Sequence, residues 1–481
     1  MLRHRRLQAI VLASAWLTAC SLAPHTTPEQ AVQHLGEGYR RPVDPLPDLS
    51  LDWGQDPKQA WWYDYGSAQL NAAVAQALKN NPGLQVQLAT LRQQQSLYEV
   101  SRGDTMWPAL DAKLGVNREK LFLGPGLVFG PLNLYNAGVV ASYNLDLFGA
   151  QRETLHAALA RVDEQRYQTI VSRQTLISNV VTAVIHAAYT QAALNAQQQL
   201  KDLLTQELQL LQVQARAGAV AQSNVLSAQA SLQAADLALS TARKNQAQAR
   251  HQLNVLLGRD PDHDTALPSL ADLRLPGHVP VSLPSRLLAQ RPDISMAAAV
   301  WDESAAQLGV ARADLLPQIQ LNASLNAYGL TPAQLFKSNS LVWGLGAGLT
   351  QPIFHGGALR AQERAAQAAF DAAGASYRQV GTQAFSHVAD VLVVLSEDQH
   401  AQSLQQAVDQ TQAQQLALAK TRYSSGAGGL REQLQAEEQV VNAHLQWQAG
   451  RAASLADVAA LYQSLGGSWD GQHDISYEQG K

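Results

Sequence analysis

The 481-residue sequence holds a single cysteine, Cys20. No disulfide can form within the chain. Proline is missing from Gln151 to Leu257 and everywhere after Pro352, and Gly218 is the one glycine of the first run. Nothing there breaks a helix, and at 1.5 Å per residue the stretch up to Arg216 would be on the order of 100 Å long. Globular helices average about 11–12 residues, so an ordinary enzyme core is excluded. Aromatics make up only 6% of the chain, while alanine and glutamine, both good helix formers, abound. No long basic run occurs, and without Arg3, Arg5 and Arg6 the formal net charge goes from -4 to about -7, which argues against nucleic acid. The 13 histidines are scattered, with no HExxH or close ligand pair, and there is no phosphate loop or GxSxG. Gly426-Ala427-Gly428-Gly429 is glycine-rich, but no strand precedes it, so it reads as a turn.

What is present is a duplication. Asn81-Pro82-Gly83-Leu84 answers to Arg291-Pro292-Asp293-Ile294, and Pro108 to Pro317. Phe148 answers to Phe354, Arg216 to Arg422, and Leu257-Gly258 to Leu465-Gly466. A nearly constant offset of about 206–210 residues over most of the chain marks two copies of one unit. Each copy reads as short helices, two strands and a very long helical hairpin. The expected boundaries are a signal peptide at 1–19, a lipidated tether at 20–60, repeats at 61–260 and 284–467, a linker at 261–283 and a tail at 468–481.

At the N-terminus, Arg3 to Arg6 precede an apolar run from Leu7 to Trp16, too short to span a bilayer as a helix. Leu17-Thr18-Ala19-Cys20 then resembles a bacterial lipobox. Such a site implies S-diacylglycerol and N-palmitate on Cys20, and several acyl chains anchor stably where one does not. Ser21, rather than aspartate, follows the cysteine, which by resemblance favours the outer membrane. Five prolines from Pro24 to Pro47 suggest an extended tether. Trp61-Trp62-Tyr63 ends it, suited either to a membrane interface or to packing on the protein's own helices.

Ser67 is a plausible helix cap, and Leu70, Val74, Ala77 and Leu78 share a face that ends at Asn80-Asn81-Pro82. A second helix follows from about Gly83 to Asp104. Period-2 alternation then marks strands at Leu110–Val116, Ala137–Leu147, Pro317–Ala327 and Leu341–Leu349, each with one apolar and one mostly polar face. After Gly149 the period turns helical, with Ile177, Val181, Val184 and Ala188 on one stripe. Arg216 to Val220 breaks the run, and Ser223 is a candidate cap for the return helix. The second hairpin carries Tyr377, Val380, Ala384, Val388, Leu392 and Leu395, and turns at Ser424 to Gly429. Gly374 and Gly381 interrupt it at roughly 1 kcal/mol each relative to alanine.

Four strands cannot close a membrane barrel, which needs at least about eight, and open edges cannot face lipid. A cyclic homo-oligomer solves this by giving each copy a share of one barrel. The plainer reading is a small sheet packed on its own helices. A lipid-anchored coiled coil spanning the periplasm without a pore is the alternative function, but such a scaffold has no need of four alternating strands.

Several stretches resemble the TolC-type outer-membrane factors, in their NodT-like lipoprotein branch. They include Tyr143-Asn144-Leu145-Asp146-Leu147-Phe148-Gly149, Leu283-Pro284-Ser285-Arg286-Leu287-Leu288, Arg291-Pro292-Asp293-Ile294, Gln351-Pro352-Ile353-Phe354 and Leu461-Tyr462-Gln463-Ser464-Leu465-Gly466-Gly467. The resemblance covers about 61–469 in order. It implies an α+β membrane protein in which a homotrimer forms a 12-stranded outer-membrane barrel continued by a periplasmic α-helical barrel. The implied role is a passive efflux duct, with no cofactor, docking on a periplasmic adaptor and an inner-membrane pump. It also implies that Arg216 and Gly218, with Arg422, Gly426, Gly428 and Gly429, lie at the tips that meet the adaptor. Acidic groups narrow this end in the family. Here Gly428, Gly429 and Gln435 stand near where acids are expected, and Glu432, Glu437 and Glu438 are the substitutes.

Overall fold

The computed structural model describes residues 22–31, 49–55, 60–122, 124–125, 128–281, 290–467 and Trp469. Seven long helices dominate: α1 (Ala68–Asn80), α2 (Pro82–Met106), α3 (Ala150–Arg216), α4 (Gln222–Leu256), α5 (Pro292–Ala313), α6 (Ala358–Ser424) and α7 (Leu430–Ser464). Among the described residues six strands accompany them: β1 (Ser50–Trp53), β2 (Ala109–Phe122), β3 (Val128–Leu145), β4 (His278–Val281), β5 (Gln318–Gly329) and β6 (Leu341–Thr350). The chain divides into two compact units that cut across the repeats. One takes Met1–Val32, Thr90–Arg166 and Met296–Gln379; the other takes the remainder.

The first unit holds an antiparallel sheet in the order β2-β3-β5-β6. Its register aligns Leu110, Ala141, Ala323 and Leu345 in one row, and Ala112, Val139, Leu325 and Trp343 in the next on the same face. Asp111, Val140, Ser324 and Gly344 form a row of the opposite face. Leu114, Trp343 and Leu345 are 84%, 75% and 80% exposed. Helices join all four strands at one end, since the registers bring Ala109 beside Ser142, Leu145 beside Ile319 and Gln318 beside Thr350. β2 and β6 leave an open edge on either side.

Within this unit Gly374 has a packing reason. A Cβ there would lie 3.1–3.2 Å from the ring atoms of Trp301, which stacks on Tyr377 with centroids 5.7 Å apart. Nothing in the structure explains Gly381.

Among its described residues the strands of the second unit are β1 and β4, which pair in parallel, Ser50 beside His278 and Trp53 beside Val281. Residues expected to run free at 50–53 are thus drawn into a strand, because Val279 and Val281 bury their side chains in the core. The helical array runs α4–α3–α7–α6. Gln246 of α4 donates to Gln191 of α3, Arg431 of α7 to Glu207 of α3, and His444 of α7 lies 3.5 Å from Asp409 of α6. The expected stripe Ile177, Val181, Val184 and Ala188 is buried, as are Val388, Leu392 and Leu395. Each leucine or valine so buried contributes about 1.5–3 kcal/mol. Trp61 and Trp62 pack inside, Trp61 stacking on Tyr462 at 4.8 Å; Tyr63 stays exposed. Ser67 caps α1, its hydroxyl accepting from the Leu70 amide at 3.3 Å. Ser223 does not cap α4. The cap is Ala221, with no side-chain bond, and Ser223 falls inside the first turn.

The duplication is visible atom by atom here. Gly258 and Gly466 both end a hairpin with positive φ, +68° and +93°. An added Cβ would meet the carbonyl oxygen of Asn80 at 2.4 Å in one repeat and of Gln290 at 2.7 Å in the other. The following residues are equally matched. Asn81 donates to the Leu256 carbonyl at 2.9 Å, and Arg291 to the Ser464 carbonyl at 2.6 Å.

Candidate functional site at the hairpin tips

Both long hairpins turn by the same device. After α3, Gly218 takes φ +72°, its amide donates to Ala215, and the Ala219 amide reaches back to Gln214 at 2.9 Å. After α6, Gly426 takes φ +75°, its amide donates to Tyr423, and the Ala427 amide reaches Arg422 at 2.8 Å. These are the paired bonds of a left-handed helix stop, which only glycine adopts without cost. Gly428 adds a third bond, its amide also donating to the Arg422 carbonyl at 3.0 Å. Gly429 then caps α7 from an extended conformation, without a side-chain bond. No side chain fills the space a Cβ would take at Gly218, Gly426 or Gly429. Each turn therefore presents bare backbone. Arg216 donates to its own helix, at the Gln212 carbonyl.

The three candidate acids on α7 have different surroundings. Glu432 pairs with Arg422 across the second tip at 2.5 Å. Glu437 lies 3.3 Å from Lys420 and accepts from Gln433. Glu438 has no such cation. Burial, then the charge of Glu207, raises its carboxyl above the ordinary range. Glu207 is the residue that the sequence reading passed over. It is 8% exposed and accepts from Arg431 at 2.9 Å and from Gln435 at 3.3 Å. The signal was available. Leu200, Glu207 and Leu211 fall on one buried stripe of α3, and an acid in an apolar stripe demands a partner. Gln435, which stands where an acid is expected, is one of the donors that satisfy it. The structure thus gathers Arg431, Gln435, Glu438 and Glu207 just behind the second tip, while Arg422 and Glu432 close the tip itself.

Cys20 lies outside the described residues. Among the described residues no group of three or more histidine, cysteine, aspartate or glutamate side chains could hold a metal ion, and no helix is long and apolar enough to cross a membrane. What remains is a scaffold of strands and long helices with an exposed apolar sheet face and glycine turns. The family description "Outer membrane efflux protein" matches residues 73–259 and 283–467, once per repeat. The chain belongs to this family. It is an efflux channel of the outer membrane and not an enzyme.

Similar proteins fill in the family. The pyoverdine export outer membrane protein OpmQ of Pseudomonas putida is 28% identical over 423 residues, covering 86% of this chain and 89% of its own. The outer membrane protein OprJ of Pseudomonas aeruginosa is 28% identical over 494 residues, covering 98% and 97%. Among solved structures, the open-state MtrE channel of Neisseria gonorrhoeae superposes with a TM-score of 0.80 at 25% identity, covering 93% of this chain and 98% of its own. The CmeC channel of Campylobacter jejuni superposes at 0.84 with 24% identity, covering 95% and 96%, a likeness of fold.

Proposed function

We propose that three copies of the chain close one barrel of 12 strands, continued by a barrel of long helices, and that the glycine tips dock on a periplasmic adaptor joined to an inner-membrane pump. The observation that carries this reading is the pair of open edges. The sheet ends in β2 on one side and β6 on the other. The helical array likewise ends in α4 and α6, which expose Leu226 and Leu237, and Leu404, Val408 and Leu418. In both layers one edge comes from each repeat, so a head-to-tail ring joins unlike edges and leaves none free. Two copies would give eight strands, an interior just filled by side chains; three give an open lumen. The apolar face runs from Tyr135 to Leu145 on β3. At about 3.4 Å per residue and a tilt of about 40°, that spans about 26 Å, close to the apolar band of about 25 Å in membrane barrels.

Acylation of Cys20 belongs to the same reading. Two residues later the chain is held on the sheet unit: Arg312 donates to the Leu22 carbonyl at 2.9 Å and Thr26 bonds Asp302. Acyl chains on Cys20 would then enter the membrane that holds the sheet. Selectivity follows from lumen width and lining charge, with energy supplied by the pump.

Light scattering of the protein extracted from outer membranes tests the assembly. Three times the 51.9 kDa chain is expected, slightly less after leader removal, and a monomer would sink the proposal. A photo-crosslinker at Gly429 should capture a periplasmic adaptor in cells. Capture of the protein alone at every tip position would remove the docking model. Cys20→Ser should abolish labelling by radioactive palmitate.

A further inference from the structure

Charge is scarce in the sheet. Between Ala109 and Leu145 and between Gln318 and Thr350 the charged residues are Asp111, Lys113, Arg118, Glu119, Lys120 and Lys337. Alternation sorts those of β2 by face. Asp111, Lys113 and Glu119 fall on the polar face, whereas Arg118 and Lys120 continue the apolar row of Leu110, Ala112, Leu114 and Val116. A register irregularity near Lys120 does not upset this. From Glu119 to Leu121 the partner strand moves from Leu132 to Phe129, so the extra residue sits in β3, beside Gly130-Pro131.

Lys337 lies at the same end. That end is the one away from the helices, where β2 runs on to β3 and β5 to β6. Gly329 is on the apolar-face row of β5, and a Cβ there would come within 2.7 Å of the Gln334 Cβ. The turn Pro332–Phe336 therefore packs over the apolar side of the sheet. It presents Phe336, 91% exposed, and is followed by exposed Lys337. Arg118 and Lys120 are exposed as well. The apolar side of this end thus carries three cations, and both acids of the sheet lie on the other face.

We propose that this end of the sheet is a docking surface for a phosphorylated glycolipid of the outer leaflet. Its acyl chains lie along the apolar face and its phosphates meet Arg118, Lys120 and Lys337. Arg118 stands two residues above Val116, about 7 Å along the strand. That is within reach of a long side chain that keeps its stem on the apolar band and its charge at the headgroups. The guanidinium offers a fork matched to phosphate oxygens, and Phe336 suits the interface just above the hydrocarbon. A soluble polyanion would leave the continuous apolar band beneath the cations uncovered; a lipid covers both. The inference rests on the membrane-barrel reading above.

The test uses the intact protein purified in detergent, with diphosphorylated lipid A and its dephosphorylated form as probes, and counts retained lipid by native mass spectrometry. The wild type should hold the diphosphorylated lipid at least about tenfold more tightly. R118Q/K120Q/K337Q should weaken it about a hundredfold, taking roughly fivefold per cation near an anionic lipid surface. K113Q, on the polar face, should change nothing. Lys337→Gln alone, in the connection rather than a strand, should cost about fivefold and serves if the triple variant fails to fold. Equal retention of the two lipids, full retention by the variants, or displacement by millimolar inorganic phosphate would each overturn the proposal. Heat-modifiable gel migration of the wild type separates the two readings, because acyl chains on Cys20 alone would resist carbonate extraction without a folded barrel. A protein that migrates alike heated and unheated removes the barrel itself; a heat-modifiable one without phosphate preference removes only the lipid site.

Discussion

The clamp between α3 and α7 makes the sharpest prediction. Glu207 is buried and held by Arg431 and Gln435, whereas the Arg431 side chain is 46% exposed. An ion pair open to solvent on one side is worth little in itself, about 0.5–1 kcal/mol. Stranding a buried carboxylate costs more, about 1–3 kcal/mol, and Glu438 beside it adds repulsion. Arg431→Ala should therefore loosen the tip by about 2 kcal/mol and Glu207→Gln by less than about 1 kcal/mol, because the neutral amide needs no cation. The double variant should regain most of the loss, with a coupling of about 2 kcal/mol. Hydrogen exchange over residues 205–216 and 430–438 of the assembled protein reads this directly. Two kcal/mol of local opening is about a thirtyfold faster exchange. If Glu207→Gln opens the tip as far as Arg431→Ala, the asymmetry of burial is not what governs the clamp.

Four further positions give testable outcomes. Gly258→Ala should prevent assembly, since the new Cβ meets the Asn80 carbonyl at 2.4 Å. Gly218→Ala shares the left-handed backbone but has open space, so it should cost only about 1–2 kcal/mol and leave the trimer band on an unheated gel. Burial, then the charge and hydrogen bond of Asp398, pushes the Asp457 carboxyl up to about 7. Because the folded state keeps a proton that the unfolded chain releases near 3.8, stability should fall as pH rises from about 4 to about 7. Asp457→Asn should flatten thermal midpoints across that window; a wild-type profile already flat there would refute the assignment. At Gly374, alanine should be nearly neutral, its helix gain of about 1 kcal/mol offsetting a tight contact with Trp301. Leucine should cost about 2 kcal/mol or more and be rescued by Trp301→Leu, as read by thermal unfolding.

The scaffold alternative needs no lumen, and the open edges of both layers count against it. A rod of coiled helices would bury its stripes within one chain or against an identical face. Here α4 and α6 expose unlike stripes, and β2 and β6 are left unpaired.

Element type was written in local order. The 68 residues from Ala150 to Ala217 without proline or glycine can only be helix or disorder, and period-2 alternation is unambiguous where it runs for eight residues. The turn at Gly218 and its twin at Gly426 were equally plain, because a helix stop needs positive φ at one defined position. The repeat offset declared two copies before any fold was known. Other features depend on residues far apart in the chain, and no window along the sequence contains them. The partner of Glu207 is 224 positions away, and Gly374 answers to a tryptophan on another helix. Whether Ser223 would cap α4 hung on where the preceding turn released the chain, two residues earlier than its hydroxyl required. That Lys337 shares a face with Arg118 and Lys120 needed the tertiary structure, because only the packing of Gln334 over Gly329 places that connection on the apolar side. Local chemistry thus determined what each segment became; the tertiary structure decided which edges stayed open, since only the completed array shows which hydrogen bonds and apolar stripes one copy cannot satisfy alone.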